Sequence, residues 1–132
     1  MPHIARERLN LEGTPPSKLI GGLCVSFYKW DDLPSRKINE LLFRKFVVGE
    51  GGMLVMITLK EGCVIPIHKH PEEQFTNILS GKLELQIGVK EPVLLEKGDV
   101  AHVPGNTDHG ARALEDTLDL DVFIPIKYDY LK

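Results

Sequence analysis

The chain has 132 residues, 42% of them hydrophobic and 27% charged, with a net charge of −3. That length suits one domain able to bury a core without disulfides or structural metals. The slightly acidic balance gives no basis for binding nucleic acid or anionic membranes. The longest apolar runs, such as MLVMITL (53–59), are far too short to span a bilayer as helices.

The N-terminal stretch MPHIARERLN has charges but no apolar core, so a secretory signal is not expected and the default location is cytoplasmic. Residues 1–28 carry NLEGTPPSKLIGGL, rich in proline and glycine, and read as an arm or an extra strand ahead of a barrel over 29–132. His3 lies in this arm and has no assigned role, and Trp30 in FYKWDDLP is expected to cap the barrel. Cys24 and Cys63 have no CxxC spacing and are expected as free, partly buried thiols.

From residue 38 onward no segment holds a helical period. Short runs rich in Val, Ile, Leu and Phe alternate with Gly, Pro and Asp turn signals: INELLFRKFVV, GEGG, MLVMITL, KEG, CVIPIHKH, QFTNIL, SGK and LELQIGV. VLLEKGD, VAHVPGN, HGARAL and LDLDVFIPI follow. Eight or so closely spaced strands predict an all-β sandwich or barrel. In KLELQIGV, Leu83, Leu85 and Ile87 share one face and Lys82, Glu84 and Gln86 the other. The ending KYDYLK reads as a short tail running back over the barrel.

The chemistry concentrates in HKHPEEQ (68–74). His68 and His70 are an i, i+2 pair, so on a strand they point to one side. Pro71 breaks the strand, and a short loop returns the chain at Gln74. His109, after the turn PGNTD, is placed to enter from a neighbouring strand. Three neutral nitrogens and an amide oxygen can hold one divalent transition metal: Zn, Ni, Mn, Fe or Co. Glu72 and Glu73 are expected in solvent, with Glu73 the substitute oxygen donor should Gln74 point away. His102, two residues before Pro104, is a candidate to support the ligands from behind. Cys63 is expected to face away from the two histidines.

Two stretches resemble the two motifs of the cupin family. GCVIPIHKHPEEQFTNILSG (62–81) follows the first, with Gly62, His68, His70 and Gly81 in place and Gln74 where the motif has glutamate. GDVAHVPGNTDH (98–109) follows the second through Gly98, Pro104 and His109, with Asn106 and Ala113 departing from its glycine and asparagine. The resemblance implies a double-stranded β-helix (a jelly-roll barrel) with a metal bound by His68, His70, Gln74 and His109, commonly as a homodimer.

A neutral Gln74 leaves the metal's two positive charges uncompensated, where a glutamate would cancel one. Such an ion is a stronger Lewis acid and supports a higher oxidation state less well. The expectation is therefore non-redox chemistry on an oxygen-rich small molecule.

In LDLDVFIPIKYDYL (118–131), Asp119, Asp121 and Phe123 share one strand face, and Leu120, Val122 and Ile124 the other. If the first face lines the interior, Asp121 is a candidate general acid/base and Phe123 packs on substrate; if the second does, the aspartates lie in solvent. This ending resembles that of small cupins of the pectin-degradation (KdgF-type) group, in which a metal site opens a 4,5-unsaturated uronate to its linear keto form. Asp121, Phe123, Pro125, Asp129 and Tyr130 match, while Lys127 stands at the arginine position. Lys127 keeps a positive charge for a substrate carboxylate but lacks the bidentate fork. The expectation is a lyase or isomerase acting on a small anionic substrate such as an unsaturated sugar acid. A metal-dependent dioxygenase and a non-catalytic sugar-binding cupin stand as the two alternatives.

Overall fold

A computed structural model of the chain describes residues 17–132. By internal contacts the chain divides into Met1–Ser35 and Arg36–Lys132. In the first unit, β1 (Ser17–Ile20) and β2 (Leu23–Ser26) form an antiparallel hairpin, followed by a 3₁₀ turn at Trp30–Asp32. His3 and most of the expected arm lie outside the described residues.

The second unit is built almost entirely of strands: β3 (Arg36–Asn39), β4 (Leu42–Val48), β5 (Met53–Leu59), β6 (Val64–His68) and β7 (Glu73–Ser80). They are followed by β8 (Lys82–Ile87), β9 (Val93–Glu96), β10 (Val100–Val103), β11 (His109–Ala113) and β12 (Thr117–Ile124). These ten strands exceed the eight or so expected. One reason is that INELLFRKFVV is two strands, broken where the Asn39 side chain accepts the Leu41 N–H at 2.8 Å. Such an Asx-type bond competes with the ladder and turns the chain.

Two antiparallel sheets result, one in the order β10-β7-β12-β5-β4-β3 and one in the order β6-β11-β8-β9. This is the double-stranded β-helix of the sequence expectation. β5 alternates between buried and half-buried residues throughout, and β7 and β12 do so up to an exposed last residue. That period of two puts one face of each strand inside. Val55, Ile57, Leu59 and Ile78 from one sheet meet Leu83, Leu85 and Leu95 from the other in a single core. Cys63 is buried in that core and Cys24 is exposed, both as free thiols.

Two tight features position the site. The β7–β8 turn pivots on Gly81 at φ 92°, where a Cβ would collide with the Asp116 carbonyl and Thr117. The loop before β11 is closed by Asn106 at φ 60°, a left-handed conformation asparagine tolerates in place of the motif's glycine. Its N–H donates to the His70 carbonyl at 2.7 Å, tying the second motif to the first. The tail forms a 3₁₀ turn at Tyr128–Leu131, held by Arg36 Nη1 donating to the Tyr130 carbonyl at 2.7 Å.

Candidate metal centre

His68 ends β6 and is the register partner of His109 at the start of β11. Beyond His109 the register shifts, and Gly110 sits at the irregularity. A Cβ there would come within 2.7 Å of the Ile65 carbonyl, so glycine allows β11 to close on β6. His70 lies just past the strand end. Gln74 points inward from β7 between Val103 and Phe123. The ring centroids of His68, His70 and His109 are 4.5 to 5.4 Å apart. One ligand nitrogen from each lies within 4.8 Å of the others.

Each imidazole is oriented from behind by a backbone carbonyl. Nδ1 donates to Pro66 O at 2.8 Å in His68, to Glu72 O at 3.0 Å in His70, and to Thr107 O at 2.7 Å in His109. With the proton on Nδ1, every Nε2 presents a bare lone pair. Burial, followed by the Lys127 charge, lowers the His70 pKa, and burial lowers that of His109, so both rings stay neutral at pH 7.

Gln74 Oε1 lies 3.2 Å from Nε2 of both His70 and His109. Its amide nitrogen donates to Thr76 Oγ1 at 2.9 Å and reaches Asp121 Oδ2 at 3.3 Å, while Thr76 Oγ1 donates to Asp121 Oδ1 at 2.8 Å. The amide therefore cannot flip without losing both acceptors, and Oε1 is committed to the histidine side. Four lone pairs then face one small volume with no proton among them. That arrangement is repulsive by itself and is relieved by a cation, so the donor set fits a divalent transition metal.

Asp121 and Asp119 both point inward, each 4% exposed. The face of β12 carrying Leu120, Val122 and Ile124 is the outer one. Burial raises Asp121 to about 6, against bonds from Asp119 and Thr76. Asp119 is raised as well, by burial and by the Asp121 charge. A cavity of about 40 Å³ runs below the histidines, lined by Arg44, Gln74, Thr76, Asp119, Asp121 and Tyr130 together with core aliphatics.

Several expected residues sit elsewhere. His102 is exposed on the outer face of β10, 3.3 Å from Glu73 and stacked on Phe75, and supports no ligand. Its register partner is Phe75, one position off inward-facing Gln74, so strand parity turns it out. Glu73 goes with it and is not a substitute ligand. Glu72, expected in solvent, is buried, with its carboxylate 3.4 Å from His70 Nδ1. Phe123 is wholly buried, its edge against His70 and Tyr130, so it braces a ligand and offers no face to substrate. Lys127 is buried, with its ammonium 2.9 and 2.8 Å from the Asp129 oxygens and 4.2 Å from the Tyr130 ring centre. Arg44, Thr76 and Asp119 were not singled out as site residues. For Thr76 and Asp119 a signal existed, since each is i+2 or i−2 from a residue that was.

The family pattern described as a cupin domain matches residues 55–124, more than half of the chain. The chain is a cupin. Among solved structures this cupin is similar to KdgF from Halomonas sp., with TM-score 0.75 and 29% identity over 80% of this chain and 99% of that one. An RmlC-like cupin from Shewanella frigidimarina aligns with TM-score 0.74 and 24% identity, covering 79% and 94% of the two chains. Oxalate decarboxylase from Bacillus subtilis, described with Mn(II) centres, aligns with TM-score 0.70 and 20% identity, covering 80% of this cupin and 30% of that protein. No curated protein matches significantly.

Proposed function

We propose that this cupin is a metal-dependent enzyme catalysing a non-redox lyase or isomerase reaction on a small anionic, oxygen-rich molecule such as an unsaturated sugar acid. The observation that carries this is the convergence of four neutral donors, His68, His70, Gln74 and His109, above a buried carboxyl pair. These four would hold the ion (Zn, Ni, Mn, Fe or Co), and a divalent metal there supplies Lewis acidity undiminished by an anionic ligand.

Asp121 handles the proton. A carboxyl raised to about 6 is populated in both forms near neutral pH, as a general acid/base requires. Thr76 and Gln74 hold its two oxygens, Asp119 adds a further hydrogen bond, and Phe123 fixes the ring of His70. Lys127 adds positive charge beside His70 and His109, which favours an anionic substrate. The role kept for its ammonium is exchange of the Asp129 carboxylate for one on the substrate. Likeness to KdgF, together with the shared ending, supports an unsaturated uronate as the first substrate to try. A cytoplasmic homodimer is the assembly we assign; the free thiols suit a reducing compartment, and exposed Leu19, Ile20 and Leu23 offer a second copy an apolar surface.

Elemental analysis of protein purified without a metal-affinity tag, beside His70→Ala, tests the site. About one metal per chain is expected in the first and little in the second; equal content would sink the assignment. Decay of the ultraviolet absorbance of a 4,5-unsaturated uronate tests the substrate, and a rate no faster than without protein excludes it.

A further inference from the structure

Two buried polar atoms lining the cavity have no partner. Arg44 on β4 is the register partner of buried Ile57, so its side chain turns inward. Its guanidinium carbon lies 3.9 Å from the centre of the Tyr130 ring, and its buried Nε–H has no acceptor among the described residues. On the other side of Ile57 in the same sheet, Oδ1 of Asp119 is buried and has no donor among the described residues. Such groups are costly to leave unmade, and these two do not satisfy each other.

Whatever joins them must accept from an N–H and donate to an oxygen. Water does both. So does a hydroxy acid, with its carboxylate toward the guanidinium and its hydroxyl toward Asp119. The charge of Arg44, always present, favours the anion. A cavity of 40 Å³ has room for about three waters, hence for one two-carbon acid group and not for a sugar ring. The Lys127 ammonium, by contrast, is already held by both oxygens of Asp129.

We propose that Arg44 and Asp119 form an inner subsite that takes the α-hydroxycarboxylate end of a small acid, Arg44 binding the carboxylate and Asp119 Oδ1 the hydroxyl. This goes beyond the proposed function: a 4,5-unsaturated uronate carries ring oxygen and no hydroxyl on the carbon next to its carboxylate, so the hydroxy acid is a separate ligand from the one whose carboxylate is assigned to Lys127.

Calorimetric titration of glycolate into Mn(II)-loaded and metal-free protein tests it, with acetate and ethylene glycol as probes lacking the hydroxyl and the charge. Glycolate is expected to bind, and each control to bind at least about tenfold more weakly. Arg44→Gln is expected to weaken glycolate at least about tenfold with metal content unchanged, and more than Lys127→Met does. Arg44→Lys, which keeps the charge and loses Nε–H, should fall between; it carries the test should Arg44→Gln fail to fold by circular dichroism. No glycolate binding by the parent protein would mean that the gap holds water only and would overturn the subsite. Equal affinity in parent and Arg44→Gln, or a larger loss in Lys127→Met, would overturn it as well. If the parent protein holds no metal, the proposed function fails, while Arg44-dependent binding of glycolate to metal-free protein still stands as a separate result.

Discussion

β8 and β12 bury alternate residues in the same rhythm, yet with opposite chemistry. β8 sends Leu83 and Leu85 inward, as a strand stabilising a core should. β12 sends in Thr117, Asp119, Asp121 and Phe123. Burying a carboxyl is unfavourable unless it is neutralised or hydrogen-bonded. Here Asp121 is held by Thr76, Gln74 and Asp119, whereas Asp119 keeps one oxygen unmatched. The β8 wall holds the barrel together, and the β12 wall spends stability to aim polar groups beneath three histidines.

Removing a wall that only packs should cost the most stability. Leu83→Ala is expected to destabilise by about 2–5 kcal/mol in chemical denaturation, with metal content of the folded protein retained. A loss below about 1 kcal/mol would mean that the β8 face is not a packed core. On the other wall, Thr76→Val removes the hydroxyl that accepts from Gln74 and donates to Asp121. Metal affinity should fall about 10- to 100-fold, as for other residues that orient ligands, with a smaller change in stability. Metal titration showing no change would mean that the amide is oriented without Thr76.

The next effect depends on pH. Asp121 and Asp119 both have folded pKa values above 3.8, so the folded state binds more protons than the unfolded chain. Stability from this pair is present below about pH 4 and is lost as pH rises through 6 and beyond. Asp119→Asn keeps a donor to Asp121 and should flatten that loss in metal-free protein. Its unfolding free energy should match the parent near pH 4 and exceed it at pH 7.5 by an amount on the order of 1–2 kcal/mol, read in thermal unfolding as a higher melting temperature. The same pH dependence in parent and Asp119→Asn would contradict the raised pKa values, because the opposing effect of the lowered His70 and His109 values is common to both proteins. Smallest of all, His102→Ala should shift stability by less than about 0.5 kcal/mol and leave metal content unchanged, since its pair with Glu73 is largely exposed. A drop in metal content would return His102 to the site.

Much of the site was legible because its information is local. The spacing HxHxxxQ places His68, His70 and Gln74 together by short-range geometry, whereas His109 reaches them through the pairing of β11 with β6. The Asn106 substitution was readable as harmless for the same reason, since left-handed backbone is a property of one residue. His102 and Phe123 were misjudged because proximity in sequence says nothing of which way a strand faces its sheet. Glu72 was misjudged because a charged loop residue is usually solvated, and only the closing of the loop against Gly105 and Asn106 buries it.

The sequence by itself determined an all-β chain, its cupin motifs, the neutral character of the candidate donors and, in β8 and β12, which residues share a face. Parity along a strand is covalent, so it can be read without a structure. Which face is inward was decided only by tertiary packing, because both faces of β12 carry residues that could be buried. Packing also brought Arg44 from β4, Asp119 from β12 and Tyr130 from the tail to one cavity. Arg44 and Asp119, 75 positions apart, meet there because β4 and β12 both pair with β5 in one sheet, where they flank Ile57 on either side.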